Sequence, residues 1–132
     1  MATPPVSLIA RVVVDVPLPQ PLDYRLASSV VLPTGQMCVV PVGRRTRMGL
    51  IVDTACHSGV DPARLKDVGA VIEQVPPLDR HWLDFTQFAS DYYQHPWGEV
   101  ALPALPPVLR TLPGPRFTQA LARLRTHFDT HA

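Results

Sequence analysis

Proline density is the feature that most constrains how this chain can fold. Sixteen of the 132 residues are proline, about 12% against roughly 5% in an average protein. Proline lacks a backbone N–H and fixes φ, so it interrupts helices and is kept out of central strands. Prolines at positions 17, 19 and 21 predict a stiff, extended arm. The chain therefore favours short strands and turns over a helical bundle.

Apolar runs separated by turn residues predict a small β-sheet in the first part of the chain. Strands are predicted over 7–16, from Asp23 onwards, and over 36–42, 48–54 and 65–75, where β-branched and apolar residues predominate. The segment 43–47 is predicted to form a hairpin tip, and Gly69 to form a bulge within the last strand. The first strand is predicted to bury one side only, the side that carries Ala10, Val12, Val14 and Val16. Strands at this spacing are typical of a small barrel or sandwich.

The pattern becomes helical after Asp79. Asp79 is a suitable N-cap, Leu78 is placed to pack on Leu83, and Pro96 ends the helix. An apolar face at helical spacing is predicted to lie in the core, and it consists of Trp82, Phe85, Phe88, Ala89 and Tyr92. The predicted fold class is α+β: a small, barrel-like sheet with one packed amphipathic helix, followed by the start of a further helical segment.

That further segment begins near residue 115. Its apolar positions are Phe117, Leu121, Leu124 and Phe128, which lie on one face of a helix. No other part of the sequence is an evident partner for this face. We therefore expect the chain to be part of a longer protein.

Composition and missing motifs exclude several classes of protein. The 46% hydrophobic content is enough for one core, which excludes outright disorder. The sequence has no phosphate-binding P-loop, no hydrolase nucleophile elbow and no zinc-protease motif. Two cysteines and five scattered histidines do not form a metal-ligand pattern. We predict a non-enzymatic domain without cofactor or metal. Because it shows neither a signal peptide nor a membrane span, we expect it in the cytoplasm.

Charge limits the kind of nucleic-acid contact that this chain can make. The formal net charge is only +1, so a partner nucleic acid is expected to be held through few phosphates. The basic residues are eleven arginines and one lysine, and the only dense basic cluster is Arg44, Arg45 and Arg47. These arginines either form a solvated hairpin tip or contact a DNA backbone.

Five short motifs occur in a characteristic order along the chain. They are Val16-Pro17-Leu18-Pro19, Leu22-Asp23-Tyr24, Val40-Pro41-Val42-Gly43 with Gly49 six residues later, Leu65-Lys66, and the run from Asp91 to Gly98. In this order and spacing the sequence resembles the N-terminal arm of the PriA primosomal helicase (primosomal protein N-prime), over roughly residues 8–109.

The resemblance implies a domain organisation and a set of partners. Residues 1–109 would form a domain that binds the DNA 3′ end, and 110–132 a linker and the start of a winged-helix-like domain. The parent protein would be an ATP-dependent 3′–5′ DNA helicase, whose ATPase lobes are missing from this sequence. The implied partners are the leading-strand 3′ end at a stalled replication fork, the rest of the helicase chain and other primosome proteins, without a membrane.

The resemblance also implies a pocket for one terminal nucleotide of any base, formed by Leu22, Asp23, Tyr24, Gly43 and Lys66. A carboxylate at Asp23 accepts hydrogen bonds from a base or a 3′-hydroxyl and repels a 3′-phosphate. Gly43 permits a close approach, and Lys66 suits the last phosphodiester. Tyr24 offers a ring for stacking. Leu22 stands where the family usually has phenylalanine, which keeps an apolar wall but removes an aromatic face.

Four of these five residues also have a purely structural interpretation. Asp23 suits a turn, where it would bind local backbone. Tyr24 suits a barrel wall, Gly43 suits a hairpin that needs positive φ, and Lys66 suits an exposed position with no specific role.

A second function also fits the sequence. In that alternative the chain is a protein–protein docking module without direct DNA-end binding. Its C-terminal helix and the region of Tyr93 and Trp97 would contact another domain, and the arm from Leu22 to Tyr24 would be structural.

Overall fold

Six strands and two helices lie between residues 9 and 101. The computed structural model of the chain describes residues 8–18, 20–26, 32–55, 58–61, 63–105, 118–119 and 122–123. The strands are β1 (Ile9–Val14), β2 (Leu22–Arg25), β3 (Met37–Val42), β4 (Arg45–Ala55), β5 (Lys66–Asp67) and β6 (Ala70–Val71). The helices are α1 (Arg80–Tyr93) and α2 (Trp97–Ala101).

All six strands belong to one curled sheet, in the order β5-β2-β1-β4-β3-β6. Neighbours are antiparallel except β2 and β5, which run parallel. The end strands β5 and β6 are separated along the chain only by Val68 and Gly69. The N–H of Val68 donates to the carbonyl of Arg25 at 3.0 Å, and the N–H of Gly69 donates to that of Val39 at 2.8 Å. The two edges therefore meet, which confirms the barrel-like sheet. The single strand predicted over 65–75 with a bulge at Gly69 is wrong, because this segment forms two short strands at opposite edges of the sheet.

Strand β1 lies at the centre of the sheet and is buried on both faces. Val12 and Val14 pack in one hydrophobic cluster and Val13 packs in the other, while Arg11 is exposed. The prediction that this strand buries one side only is wrong, because the sheet curls around one of its faces and the helices cover the opposite face.

Two hydrophobic clusters occupy the two faces of the sheet. The inner cluster lies inside the curl and consists of Ala10, Val12, Val14, Tyr24, Leu26, Cys38, Val40 and Ile51. The outer cluster lies between sheet and helices and consists of Val13, Met37, Val39, Met48, Leu50, Val52, Ile72, Val75, Leu83, Ala101, Leu102 and Leu105. Cys38 is fully buried, which confirms its prediction as a small core residue.

The hairpin between β3 and β4 is tighter than the sequence predicts. Only Gly43 and Arg44 connect the two strands, and Gly43 has a φ of 61°, in the left-handed region that favours glycine. Arg45 and Arg47 belong to β4 and not to the tip predicted over 43–47. These two side chains are therefore held on the sheet.

Helix α1 begins and ends where the sequence predicts. The Asp79 carboxylate accepts a hydrogen bond from the N–H of His81 at 2.8 Å, which satisfies a free donor of the first turn. At the other end Gln94 takes a φ of 54° and ends the helix two residues before Pro96. Both boundaries thus follow from local sequence.

The face that α1 buries differs from the prediction. The side chains that lie under the helix are Leu83, Thr86 and Ser90. Three of the five predicted core residues are instead 65–70% exposed, namely Phe85, Phe88 and Tyr92. The prediction of an aromatic core face is therefore wrong for these three residues.

Small, hydrogen-bonded side chains explain this choice of face. The indole N–H of Trp97 donates to the hydroxyl of Thr86 at 3.0 Å, and the Ser90 hydroxyl donates to the carbonyl of His95. With these polar groups paired, their burial carries little penalty. The short side chains let α1 lie directly against α2, a position that aromatic side chains would not fit.

One prediction falls on residues whose structure is not described. Residues 118–119 and 122–123 are helical, but the predicted apolar positions Phe117, Leu121, Leu124 and Phe128 lie outside the described residues. Within the part that the structure describes, no helix is long and apolar enough to cross a membrane.

The contact between α2 and β1 leaves no space for a side chain at Gly98. A Cβ atom there would lie 1.7 Å from the carbonyl oxygen of Val14. We expect Gly98→Ala to lower the free energy of unfolding by about 1–3 kcal/mol, because the helix must shift away from the strand. Urea unfolding followed by tryptophan fluorescence measures the change.

Gly59→Ala is the matched control, because a Cβ at Gly59 meets no atom within 4 Å. The control should change stability by less than about 0.5 kcal/mol. Equal stability of the two variants would contradict the close packing of α2 on β1.

Candidate nucleic-acid interface

Strand β2 carries Leu22, Asp23 and Tyr24 and divides them between the two faces of the sheet. Side chains alternate along a strand, so Leu22 and Tyr24 contact the inner cluster, while Asp23 lies on the opposite face. Strand β5 pairs only with Tyr24 and Arg25. At Leu22 the outer edge of β2 therefore has no strand neighbour among the described residues.

Tyr24 is part of the core and does not present its ring to a ligand. Its side chain is only 4% exposed, and its hydroxyl donates to the carbonyl of Pro41 at 2.7 Å. Burial, with a smaller contribution from the Cys38 thiol, raises the pKa of Tyr24 to about 12. The expectation that Tyr24 offers a stacking face is therefore wrong, and the alternative of a barrel wall holds.

Lys66 and Gly43 are brought together at the open end of the curl. Lys66 is the register partner of Tyr24 in β5, and its exposed ammonium group donates to the carbonyl of Gly43 at 3.4 Å. A Cβ at Gly43 would meet no atom within 4 Å, so a ligand can approach this backbone closely. Because Tyr24 binds Pro41 two residues earlier, the β3–β4 turn is the meeting point of Tyr24, Gly43 and Lys66.

Asp23 is held on the other face by residues from outside β2. The Ser58 hydroxyl donates to its Oδ2 at 2.5 Å, and Nε of Arg11 lies 3.7 Å from its Oδ1. The Asp23 side chain is 14% exposed. The interpretation of Asp23 as a turn residue is wrong, since it lies within a strand and its partners are distant in sequence.

Sequence reasoning missed Ser58 and Arg11 as neighbours of Asp23. Arg11 is the register partner of Asp23 across β1 and β2, so strand alternation was a signal for that contact. Ser58 lies in a loop, and no local pattern places a loop residue against a strand 35 positions earlier.

A cleft of about 690 Å³ opens beside Asp23, between the outer face of the sheet and α1. Polar and apolar residues share its lining, and the polar side chains include Arg11, Asp23, Asp53, Arg80 and Gln87. Both arginines are paired, Arg11 with Asp53 at 3.3 Å and Arg80 with Asp84 at 3.0 Å. The cleft therefore has no marked charge, and Asp23 is the carboxylate that links it to β2.

The three clustered arginines lie near the turn that holds Gly43. Arg44 and Arg45 are exposed and Arg47 is partly exposed. Arg45 and Arg47 pair with Val42 and Val40, so they share a face with the inner cluster, as Lys66 does through its pairing with Tyr24. Cationic groups are thus concentrated at the open end of the curl, in a position to contact a short stretch of phosphates.

The outer side of α1 carries an aromatic surface, which we define as Phe85, Phe88, Tyr92 and Tyr93. These side chains are 65–70% exposed. The Phe88 and Tyr92 rings stack with centroids 6.0 Å apart, and Tyr92 and Tyr93 meet edge to face at 4.9 Å. Trp97, by contrast, is half-buried against the outer cluster. Only the Tyr93 part of the region predicted to dock a partner is therefore available.

Within the described ranges, histidine, cysteine and acidic side chains form no cluster that could hold a metal ion. What the structure does present is a small curled β-sheet with cationic side chains and accessible backbone at one end. These features define a small, barrel-like β-sheet domain whose cationic end suits contact with a nucleic-acid backbone.

Comparison with known proteins gives the family. Residues 11–106 match the family described as the 3′ DNA-binding domain (3′BD) of PriA. The chain is also similar to the replication restart protein PriA of Haemophilus influenzae, with 33% identity over 102 residues, 77% of this chain and 14% of that protein. The chain belongs to the PriA 3′ DNA-binding domain family.

Family membership shows that the chain is a DNA-binding domain, and the matched region is a binding domain rather than a catalytic one. The chain spans about one seventh of the length of its Haemophilus relative.

Tyr24 and Cys38 make the domain sensitive to alkaline pH. Burial also raises the pKa of Cys38 to about 12. Both groups lose their protons more easily in the unfolded chain. Their contribution to the free energy of unfolding is therefore fully present below pH 9 and falls as the pH rises towards 12. We expect Tyr24→Phe to cost about 1 kcal/mol at pH 8, through the lost hydrogen bond to Pro41, and less at pH 11. Urea unfolding at both values measures the difference.

The matched control is Tyr92→Phe, which changes an exposed hydroxyl and should leave stability unaltered at either pH. A Tyr24→Phe penalty that is identical at pH 8 and pH 11 would contradict the buried, protonated state of Tyr24.

Proposed function

We propose that this domain binds the 3′-terminal nucleotide of single-stranded DNA, with a free 3′-hydroxyl and without base preference. In this proposal it acts at the leading strand of stalled replication forks, in the cytoplasm, as one module of a longer replication-restart helicase that works with other restart proteins. The observation that carries the proposal is the convergence of Gly43, Lys66 and strand β2 at the open end of the curl.

The phosphate and sugar of the terminal nucleotide are assigned to the β3–β4 turn. Lys66 supplies a mobile ammonium group for the last phosphodiester, and the bare backbone of Gly43 allows the sugar to approach. The contact between Lys66 and Gly43 is long and exposed, so a ligand can displace it at low cost. Arg45 and Arg47 on the same face lie where the preceding phosphates would pass.

The base and the 3′-hydroxyl are assigned to the edge of β2. Leu22 is partly buried and serves as an apolar wall, while Tyr24 supports the wall from within the core instead of stacking. The Asp23 carboxylate accepts hydrogen bonds from a hydroxyl or amino group and repels a terminal phosphate. Because Asp23 and Lys66 lie on opposite faces, the nucleotide must cross the edge of β2 near Leu22, ahead of the point where β5 begins.

Few phosphates take part in this binding mode. The net charge of +1 suits contact with the end of a strand rather than with its length. The logarithm of the affinity should fall with the logarithm of salt concentration with a slope of about one or two.

The decisive measurement compares oligonucleotides that differ only at the 3′ end. By fluorescence anisotropy, we expect the 3′-hydroxyl form to bind about tenfold more tightly than the 3′-phosphate form, the equivalent of one charge-assisted hydrogen bond. Asp23→Ala should abolish this preference.

The control for that measurement is Asp53→Ala, which removes a carboxylate from the same cleft. Asp53 binds Arg11 but not Asp23, so the preference should persist. Equal binding of the two oligonucleotides by the unaltered domain would refute end recognition.

The aromatic surface favours a second function, docking to another domain of the same longer polypeptide. Exposed aromatic side chains in a contiguous patch are typical of protein interfaces. Asp84 and Asp91 lie among them on exposed positions of α1, which disfavours a phosphate backbone as the occupant. The match to 14% of a much longer relative supports a partner within that polypeptide.

The docking function is tested with the double variant Phe85→Ser/Phe88→Ser. In the present chain we expect a change in unfolding free energy within about 0.5 kcal/mol, because both side chains are exposed. In a full-length restart protein that carries this domain, the melting temperature should fall by about 2–4 °C. An unchanged melting temperature in the full-length protein would exclude this docking surface.

A further inference from the structure

The Ser58 hydroxyl is fixed by two hydrogen bonds that leave it one orientation. The N–H of Val60 donates to Ser58 Oγ at 3.0 Å, and Ser58 Oγ lies 2.5 Å from Oδ2 of Asp23. A hydroxyl has one proton to donate. Because the backbone N–H of Val60 can only donate, the Ser58 proton is directed to the Asp23 carboxylate.

The second oxygen of Asp23 is in a different environment. Its Oδ1 faces Arg11 at 3.7 Å, which is beyond hydrogen-bond distance. The Arg11 side chain is 45% exposed and also contacts Asp53 at 3.3 Å. Arg11 therefore shares its charge between two carboxylates in a solvent-screened position. Ser58 makes the short, directional contact to Asp23, and Oδ1 accepts no hydrogen bond from the residues that the structure describes.

We propose that Ser58 is a positioning residue for recognition of the DNA 3′ end, which rests on the function proposed above. By occupying Oδ2, Ser58 holds the Asp23 carboxylate in one rotamer and presents Oδ1 to the terminal nucleotide. Without the hydroxyl, the carboxylate rotates and its charge no longer has a fixed position. Discrimination between a 3′-hydroxyl and a 3′-phosphate then falls, while contacts at Lys66 and Gly43 remain.

The loop that carries Ser58 gives this contact a second effect. Gly59 and Val60 line the same cleft as Asp23, so the hydrogen bond also ties the loop to strand β2. The wall of the cleft and the orientation of the carboxylate are consequently set by one side chain, which joins parts of the chain 35 residues apart.

The test uses the same pair of oligonucleotides with Ser58→Ala and Ser58→Thr. We expect Ser58→Ala to reduce the ratio of the two affinities by roughly three- to fivefold, since a hydrogen bond to a charged group is lost. Ser58→Thr keeps the hydroxyl and should retain the ratio. Urea unfolding of each variant confirms that the domain remains folded.

The outcomes separate this inference from the function on which it rests. If Asp23→Ala abolishes the preference and Ser58→Ala leaves it intact, the positioning role is wrong and end recognition stands. A loss in Ser58→Ala that is equal for both oligonucleotides, or an equal loss in Ser58→Thr, also overturns the positioning role. If Asp23→Ala changes nothing, the proposed function fails and the role of Ser58 fails with it.

Discussion

Two backbone hydrogen bonds from consecutive residues, Val68 to Arg25 and Gly69 to Val39, join the opposite edges of the sheet. Without them the sheet would have two open edges, and unpaired edges are liabilities in a soluble domain. The closure encloses the inner cluster and allows the Tyr24 hydroxyl on β2 to reach Pro41 on β3, strands that are not neighbours in the sheet. It also places Lys66 beside the β3–β4 turn. The candidate site is thus a product of closure rather than of any single strand.

The alternation of side chains along strand β2 places the candidate site residues on different faces of the sheet. Asp23 and Tyr24 are adjacent in sequence, yet one carboxylate faces the helix side and one ring faces the interior. The motif Leu22-Asp23-Tyr24 is contiguous in sequence, but its side chains lie on both faces of the sheet and beside the edge of β2. In the function proposed above, recognition of a terminal nucleotide depends on the edge, since both surfaces are accessible together only there. That proposal favours a strand end, which is narrow, over a continuous duplex.

Local signals in the sequence predicted where most helices and strands lie, but they did not predict which face of each is buried. The Asp79 cap and the turn at Gly43 act within a few residues, so they can be read directly. The burial of Thr86 in place of Phe88 depends on Trp97, which donates to Thr86 across the α1–α2 contact. Similarly, the resemblance to a family gave Asp23 as a candidate site residue, whereas its contact with Ser58 follows only from tertiary structure. The buried face of an amphipathic helix is decided by its tertiary contacts, and the periodicity of the sequence carries no information about them.

The brevity of β5 couples the stability of the barrel to its surface. Two residues form few hydrogen bonds, and segments with few bonds open at a lower free-energy cost than long strands. Lys66 belongs to β5, while Gly43 belongs to the turn that β5 approaches. A ligand that bridges Lys66 and Gly43 would therefore also stabilise the closed form of the sheet. Binding of such a ligand would therefore make the sheet more rigid.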